Sequence, residues 1–199
     1  MDDRLLTIPN ILTLTRLPLS VLLFASIALE YWLCGLIVFA LASLTDWLDG
    51  FLARLLKQQS AIGRNLDPLI DKVMTCGAFI YLMQVPAAEL MPWMVTVVIG
   101  RELLITGLRG MMEAHGVKFG ADQLGKLKMA LQCVVLIVVL AVLWLRSFDL
   151  SSETLRGLRF VQLASIYLML LATVASGIQY IVKAVRLWRN RPLAANPDR

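Results

Sequence analysis

Residues 45–71 read TDWLDGFLARLLKQQSAIGRNLDPLID. Four aspartates, Asp46, Asp49, Asp67 and Asp71, stand where one long apolar stretch ends and the next begins. A carboxylate at mid-membrane costs on the order of 3 kcal/mol even on lenient insertion scales, so acids in such a place mark a functional site. Asp46, Asp49 and Ala53 fall at i, i+3 and i+7, with Gly50 beside them, while Gly63, Asp67 and Asp71 recur every fourth residue. Each set therefore shares one helical face. The polar run 57–60 supplies a short turn, which predicts two adjacent antiparallel helices whose acidic faces meet. Hard oxygen ligands without thiol or imidazole favour Mg²⁺ or Mn²⁺ over Zn²⁺. Four carboxylates can hold two such ions ~3.5 to 4 Å apart, a geometry suited to in-line displacement at phosphorus. Ion pairing with Arg54, Arg64 and Lys72 is the alternative, but buried ion pairs rarely stabilise more than apolar substitutes do. Gly50 and Ala53 leave a flat strip for a nucleotide; alone they would equally suit close helix packing.

The rest of the chain supplies the setting. Of 199 residues, 59% are hydrophobic and 17% charged, with a mean hydropathy of +0.75. Six apolar stretches, roughly 11–29, 33–54, 66–85, 92–112, 127–146 and 160–185, have the length of membrane-spanning helices. The predicted fold is all-α and integral to the membrane: six transmembrane helices with a polar di-metal site facing the cytoplasm. Residues 1–188 form a single domain and 189–199 a short basic tail.

Basic residues set the orientation. With the N-terminus in the cytoplasm, Arg4, Arg16, Arg54, Lys57, Arg64, Lys72, Arg109, Lys118, Lys126, Lys128, Lys183, Arg186, Arg189, Arg191 and Arg199 fall on the inner side. Only Arg146, Arg156 and Arg159 fall outside, and Arg101 lies within an apolar run. Both termini and the acidic pocket are thus expected at the cytoplasmic face of the cell membrane. The net charge of +5 follows from this rule and from attraction to anionic headgroups. It makes no case for nucleic acid, because the charges are dispersed among apolar helices. Ser26-Ile27-Ala28 resembles a signal-peptide cleavage site, but Asp2 and Asp3 spoil a basic leader, so a retained helix is expected. Cys34, Cys76 and Cys133 are odd in number and scattered, which fits packing and not disulfides; His115 fits a surface loop.

The pattern D-x2-D-G-x2-A-R-x8-G-x3-D-x3-D is met at Asp46, Asp49, Gly50, Ala53, Arg54, Gly63, Asp67 and Asp71. It resembles that of the CDP-alcohol phosphotransferases, integral membrane enzymes of phospholipid synthesis. The resemblance implies two divalent cations, Mg²⁺ or Mn²⁺, held by the four aspartates, with the CDP of a lipid donor beside Gly50 and Ala53. Carried over, Asp46, Asp49 and Asp67 are metal ligands. Asp71 completes the site and is the general base that takes the proton of an attacking hydroxyl. Homodimers are usual in such a family, although no helix here declares an interface. Asn10, Thr13 and Arg16, in PNILTLTR, share a face and are candidates for nucleotide or phosphate contact; a snorkelling interfacial helix start is the alternative. Together with Asp49, Gly50, Ala53, Arg54 and Gly63 they form the expected CDP-binding set.

The acceptor must be read elsewhere. Arg101-Glu102 opens a segment running through Thr106 to Arg109, and Gly125-Lys126-Leu127-Lys128 brings two further cations. Arginine in such apolar surroundings needs a partner or a polar cavity, and Arg and Lys together suit a phosphate. Both segments resemble R-E-x-x-I-[ST]-x-L-R and G-K-x-K-T of phosphatidylglycerophosphate synthases, except that Met129 replaces the final Thr. The implied reaction joins CDP-diacylglycerol to sn-glycerol 3-phosphate and releases CMP, with Arg101, Arg109, Lys126 and Lys128 on the acceptor phosphate. Inositol phosphate, serine and phosphatidylglycerol are alternative acceptors. Intramembrane prenyltransferases also pair aspartates with Mg²⁺, but on well-separated segments. A divalent-cation transporter is the non-enzyme alternative; it would be expected to show repeats or broken helices, and neither is evident.

Overall fold

The computed structural model describes residues 8–56, 61–114 and 123–189, with side chains over 15–45, 72–114 and 123–189. Among the described residues the chain forms six α-helices and no strand: α1 (Ile8–Ala28), α2 (Trp32–Leu56), α3 (Ala61–Leu82), α4 (Pro92–Ala114), α5 (Gln123–Leu145) and α6 (Ser152–Arg189). Each coincides with one of the six apolar stretches. The sixth is longer than its apolar part, because hydropathy does not register the charged turns around Arg156 and Arg186 that extend it.

The connections have local causes. Glu30 takes a left-handed φ of 59°, and the Tyr31 N–H donates to the Ser26 carbonyl at 2.8 Å, which closes α1. A 3₁₀ turn at Pro86–Ala88 ends on left-handed Glu89. Pro92 then opens α4, where its missing N–H costs no helical hydrogen bond. Ser151 caps α6 by accepting from the Thr154 N–H at 3.3 Å, as N-cap serines do.

The helices pack as a closed ring in the spatial order α2, α1, α3, α4, α6, α5, with α3 also touching α5. Phe39, Phe79, Leu136, Leu140 and Ile166 fill the centre. Two contacts fix the ends of the bundle. Arg159 on α6 lies 2.8 Å from Glu89, and Gln162 donates to the Ala87 carbonyl at 3.1 Å, so the α3–α4 connection meets the start of α6. Trp144, late in α5, and Tyr31 and Trp32 of the α1–α2 turn line one hollow. The end of α2, the start of α3, the end of α4 and the start of α5 therefore share the opposite end.

Polarity is inverted relative to a water-soluble protein. Phe160 is 73% exposed and Leu103 68%, whereas Lys128 is 1% exposed and Glu102 6%. An apolar exterior, with charged side chains withdrawn beside an apolar core, is the arrangement a lipid solvent favours. By length and composition α5 and α6 can each cross a membrane; the described apolar parts of three other helices, Thr15–Ala28, Trp32–Thr45 and Lys72–Leu82, are shorter.

Candidate functional site

At the end of the bundle that α2 leaves and α3 enters, three helices, α3, α4 and α5, converge on one buried carboxylate. Lys128, in the second turn of α5, donates to Glu102 Oε1 of α4. Arg101 Nη1 reaches the same oxygen at 3.2 Å, and Lys72 Nζ of α3 lies 3.9 Å from Oε2. Lys72 also donates to Thr106 Oγ1. The Thr106 hydroxyl in turn donates to the Glu102 carbonyl at 2.7 Å, which fixes its lone pairs toward the lysine. Glu102 and Thr106 are one helical turn apart, so α4 offers both acceptors on one face.

The fourth cation, Arg109, lies farther along α4. Its Nη2 donates to the Tyr180 hydroxyl of α6 at 3.5 Å, and its guanidinium carbon is 6.0 Å from the Tyr180 ring centroid. Arg101 lies 5.5 Å from that centroid and donates from Nη2 to Ser176 Oγ at 3.0 Å. The Ser176 hydroxyl donates in turn to the Thr173 carbonyl at 3.0 Å. Three cations, Lys72, Arg101 and Lys128, thus flank Glu102, and Arg109 lies beyond them on Tyr180, so the described side chains of the cluster hold four cations and one carboxylate. Among the described residues, the buried Nε of Arg101 and of Arg109 each lacks a hydrogen-bond partner. Buried donors and buried charge both demand a partner. A phosphate offers an anion and several acceptor oxygens at once, and guanidinium groups engage it bidentately.

The expected acceptor set is partly brought together. Arg101, Arg109 and Lys128 meet in the cluster, while Lys126 is exposed on α5. Two residues turn a helix by about 200°, so Lys126 and Lys128 cannot share a face. Met129, at the position of the family's Thr, is 48% exposed. The cluster also holds residues that the sequence did not single out for binding. The sequence places Lys72 among the inner-side cations and as a counter-ion to the aspartates, and it assigns no role to Ser176 or Tyr180. A spacing of four between two polar groups in an apolar helix was the available signal for the latter pair.

Asp46, Asp49, Gly50, Ala53 and Arg54 belong to α2, and Gly63, Asp67 and Asp71 to α3; their side chains lie outside the described residues. So do those of Asn10 and Thr13 in α1, whereas Arg16 of the same helix is buried at 3% exposure. The donor set, four carboxylates with no sulfur or imidazole, is chemically suited to hard divalent cations. Lys72 directly follows Asp71, so along α3 the acidic motif ends where the basic cluster begins.

A family model described as CDP-alcohol phosphatidyltransferase matches residues 6–188. The chain is 39% identical over 151 residues to the CDP-diacylglycerol–glycerol-3-phosphate 3-phosphatidyltransferase of Bacillus subtilis, covering 76% of this chain and 73% of that protein. It is 33% identical over 188 residues to the protein of the same name from Sodalis glossinidius, covering 90% and 95% of the two. It is also 32% identical over 153 residues to a cardiolipin synthase (CMP-forming) of rice, covering 69% of this chain and 46% of that protein.

Proposed function

The chain belongs to the CDP-alcohol phosphatidyltransferase family, and we propose that its acceptor is sn-glycerol 3-phosphate and its donor CDP-diacylglycerol. Phosphatidyl transfer is the chemistry of that family, and the chain is a transferase of phospholipid biosynthesis. The observation that carries the acceptor assignment is the excess of cations over carboxylate in the cluster of Glu102 and Tyr180, with buried, unpartnered Nε groups on Arg101 and Arg109. A neutral or zwitterionic alcohol would leave that charge uncompensated; a phosphate monoester neutralises most of it.

In the proposed reaction Arg101, Arg109, Lys128 and Lys72 hold the acceptor phosphate. They fix the free hydroxyl at the far end of the glycerol, turning a bimolecular encounter into a positioned one. Asp71 takes the hydroxyl proton as that oxygen bonds to the β-phosphorus of the donor. The bond from the β-phosphorus to the bridging oxygen breaks, CMP departs with its electron pair, and phosphatidylglycerol phosphate remains. Asp46, Asp49, Asp67 and Asp71 would hold two divalent cations, Mg²⁺ or Mn²⁺, which when bound offset the charge of the diphosphate. Gly50, Ala53, Arg54 and Gly63, with Asn10, Thr13 and Arg16, are proposed to receive the CDP moiety. Six membrane-spanning helices, both termini and the site at the cytoplasmic face of the cell membrane, a basic tail at 189–199, and a homodimer complete the proposal.

The inverted polarity and the paired lysines of the cluster support this membrane setting, since positive charge collects on the inner side. Phosphatidylglycerol is the second acceptor to consider, because one relative is a cardiolipin synthase. CMP release by purified protein with CDP-diacylglycerol and Mg²⁺ tests both. Glycerol 3-phosphate, inositol 1-phosphate, serine and phosphatidylglycerol are offered separately, each with an EDTA control. Release with glycerol 3-phosphate alone is expected; release with a different acceptor alone would overturn the assignment.

A further inference from the structure

We infer that Tyr180 is a positioning residue for the acceptor phosphate, its ring gathering Arg101 and Arg109 while leaving the Nε–H of each free for a ligand. The inference rests on the acceptor reading above. Eight residues, about 12 Å of helix rise, separate the two arginines on α4. Their guanidinium carbons nevertheless lie 5.5 and 6.0 Å from the centroid of the same ring. Two like charges drawn to one place in a poorly screened interior repel strongly, so something must hold them.

An aromatic face attracts a guanidinium through the ring quadrupole. A carboxylate in its place would cancel the charge and occupy the donors. The ring does neither, which accounts for an Nε on each arginine that is buried without a partner. Glu102 and Ser176 hold the Nη groups of Arg101, and the Tyr180 hydroxyl accepts from an Nη of Arg109.

The ring itself is held by the shape of its neighbours. Tyr180 is 2% exposed. A Cβ on Gly125 of α5 would come within 3.0 Å of the Tyr180 hydroxyl oxygen and 3.4 Å of its Cε2. A Cβ on Gly177 of α6 would stand 3.4 Å from Arg101 Cγ. The glycine that opens the Gly125–Lys128 segment therefore makes room for the tyrosine, and Gly177 keeps α6 flat beneath the arginine stem. Three helices thus converge to set the spacing of two guanidinium groups: α4 supplies them, α6 the ring, and α5 the notch.

The test uses the full chain in lipid nanodiscs, measuring kcat and both KM values for wild type, Tyr180→Phe, Tyr180→Leu, Gly125→Ala and Arg101→Gln. Tyr180→Leu is expected to raise the KM for glycerol 3-phosphate about tenfold, with the KM for CDP-diacylglycerol changed less than twofold. Tyr180→Phe keeps the ring and should stay within about threefold of wild type. Gly125→Ala should shift the acceptor KM in the direction of the leucine variant, and it carries the test if that variant does not fold. Inorganic phosphate, as a competitive inhibitor, should weaken in parallel. An unchanged acceptor KM in Tyr180→Leu and Gly125→Ala, beside a raised one in Arg101→Gln, overturns the role of Tyr180 alone. An unchanged acceptor KM in Arg101→Gln as well overturns the acceptor reading. A fall in kcat with both KM values unmoved reduces Tyr180 to a packing residue.

Discussion

Lys128 of α5 directs its ammonium onto the carboxylate of Glu102 in α4, and both side chains are withdrawn from the surface. Glu102 also keeps Arg101 and Lys72 beside it, whereas Glu102 is the one carboxylate that Lys128 meets among the described residues. Removing the carboxylate of a buried pair commonly costs about 3 to 5 kcal/mol, because the remaining charge is left uncompensated. Removing Lys128 as well takes away the most deeply buried of the stranded cations. Glu102→Ala should therefore lower thermal stability more than the double variant Glu102→Leu/Lys128→Met. Detergent-phase thermal unfolding of the two single variants and the double variant checks this, and additive effects would contradict it.

The structure reverses the order in which the sequence ranks two lysines: Lys126, favoured for the acceptor phosphate, is exposed, and Lys128 stands in the cluster. Lys128→Met removes a cation from the cluster, and Lys72→Met removes another that also bonds Thr106. Each should raise the KM for glycerol 3-phosphate by roughly five- to thirtyfold, the range of about 1 to 2 kcal/mol for a charged hydrogen bond. Lys126→Met, at an exposed position, should leave that KM within about twofold. Steady-state kinetics of the three variants decide the matter. A Lys126 effect equal to that of Lys128 would mean that the start of α5 is wound differently in the working enzyme.

This contrast shows what was legible in the chain. Arg101 stood out because a guanidinium in an apolar run requires a partner, and its partners are Glu102 and Ser176. The aspartates stood out for the same reason, and their spacing carried the family resemblance. Lys72 was ambiguous because it follows Asp71: a cation beside acids looks like their counter-ion, and only the packing of α3 on α4 turns it toward Glu102. The sequence favoured Lys126 over Lys128, and the phase of α5 reverses that preference by turning Lys128 inward and Lys126 outward. Tyr180 offered only its spacing of four from Ser176, because a tyrosine in an apolar helix breaks no rule of composition. Charge out of place can be read locally, whereas a ring that acts through tertiary contact cannot.

Packing between α1 and α3 depends on Gly77. A Cβ there would collide with the Phe24 ring, which stacks on Tyr81 with centroids 5.1 Å apart and planes 5° from parallel. Small residues permit this kind of close helix approach in membranes. Gly77→Ala should force the ring aside and cost about 1 to 3 kcal/mol, as overpacking does. Phe24→Leu in the same background should recover part of the loss, which unfolding in detergent would measure. A stabilised Gly77→Ala protein would show instead that the gain in helix propensity outweighs the collision.

The proposed base can be separated from the cluster that holds the acceptor. Asp71→Asn keeps the shape of the side chain but cannot accept a proton from the attacking hydroxyl. General base catalysis contributes typically 10² to 10⁴-fold, so kcat should fall by about that factor. Lys72 and Glu102 remain paired across α3 and α4, so acceptor affinity should change much less. Binding of glycerol 3-phosphate and of CDP-diacylglycerol by calorimetry, beside single-turnover CMP release, distinguishes the two effects. Lost chemistry with retained acceptor binding fits a base adjoining an independent phosphate site. Lost acceptor binding in Asp71→Asn would instead place the aspartate among the groups that hold the acceptor, and the proton would need another destination.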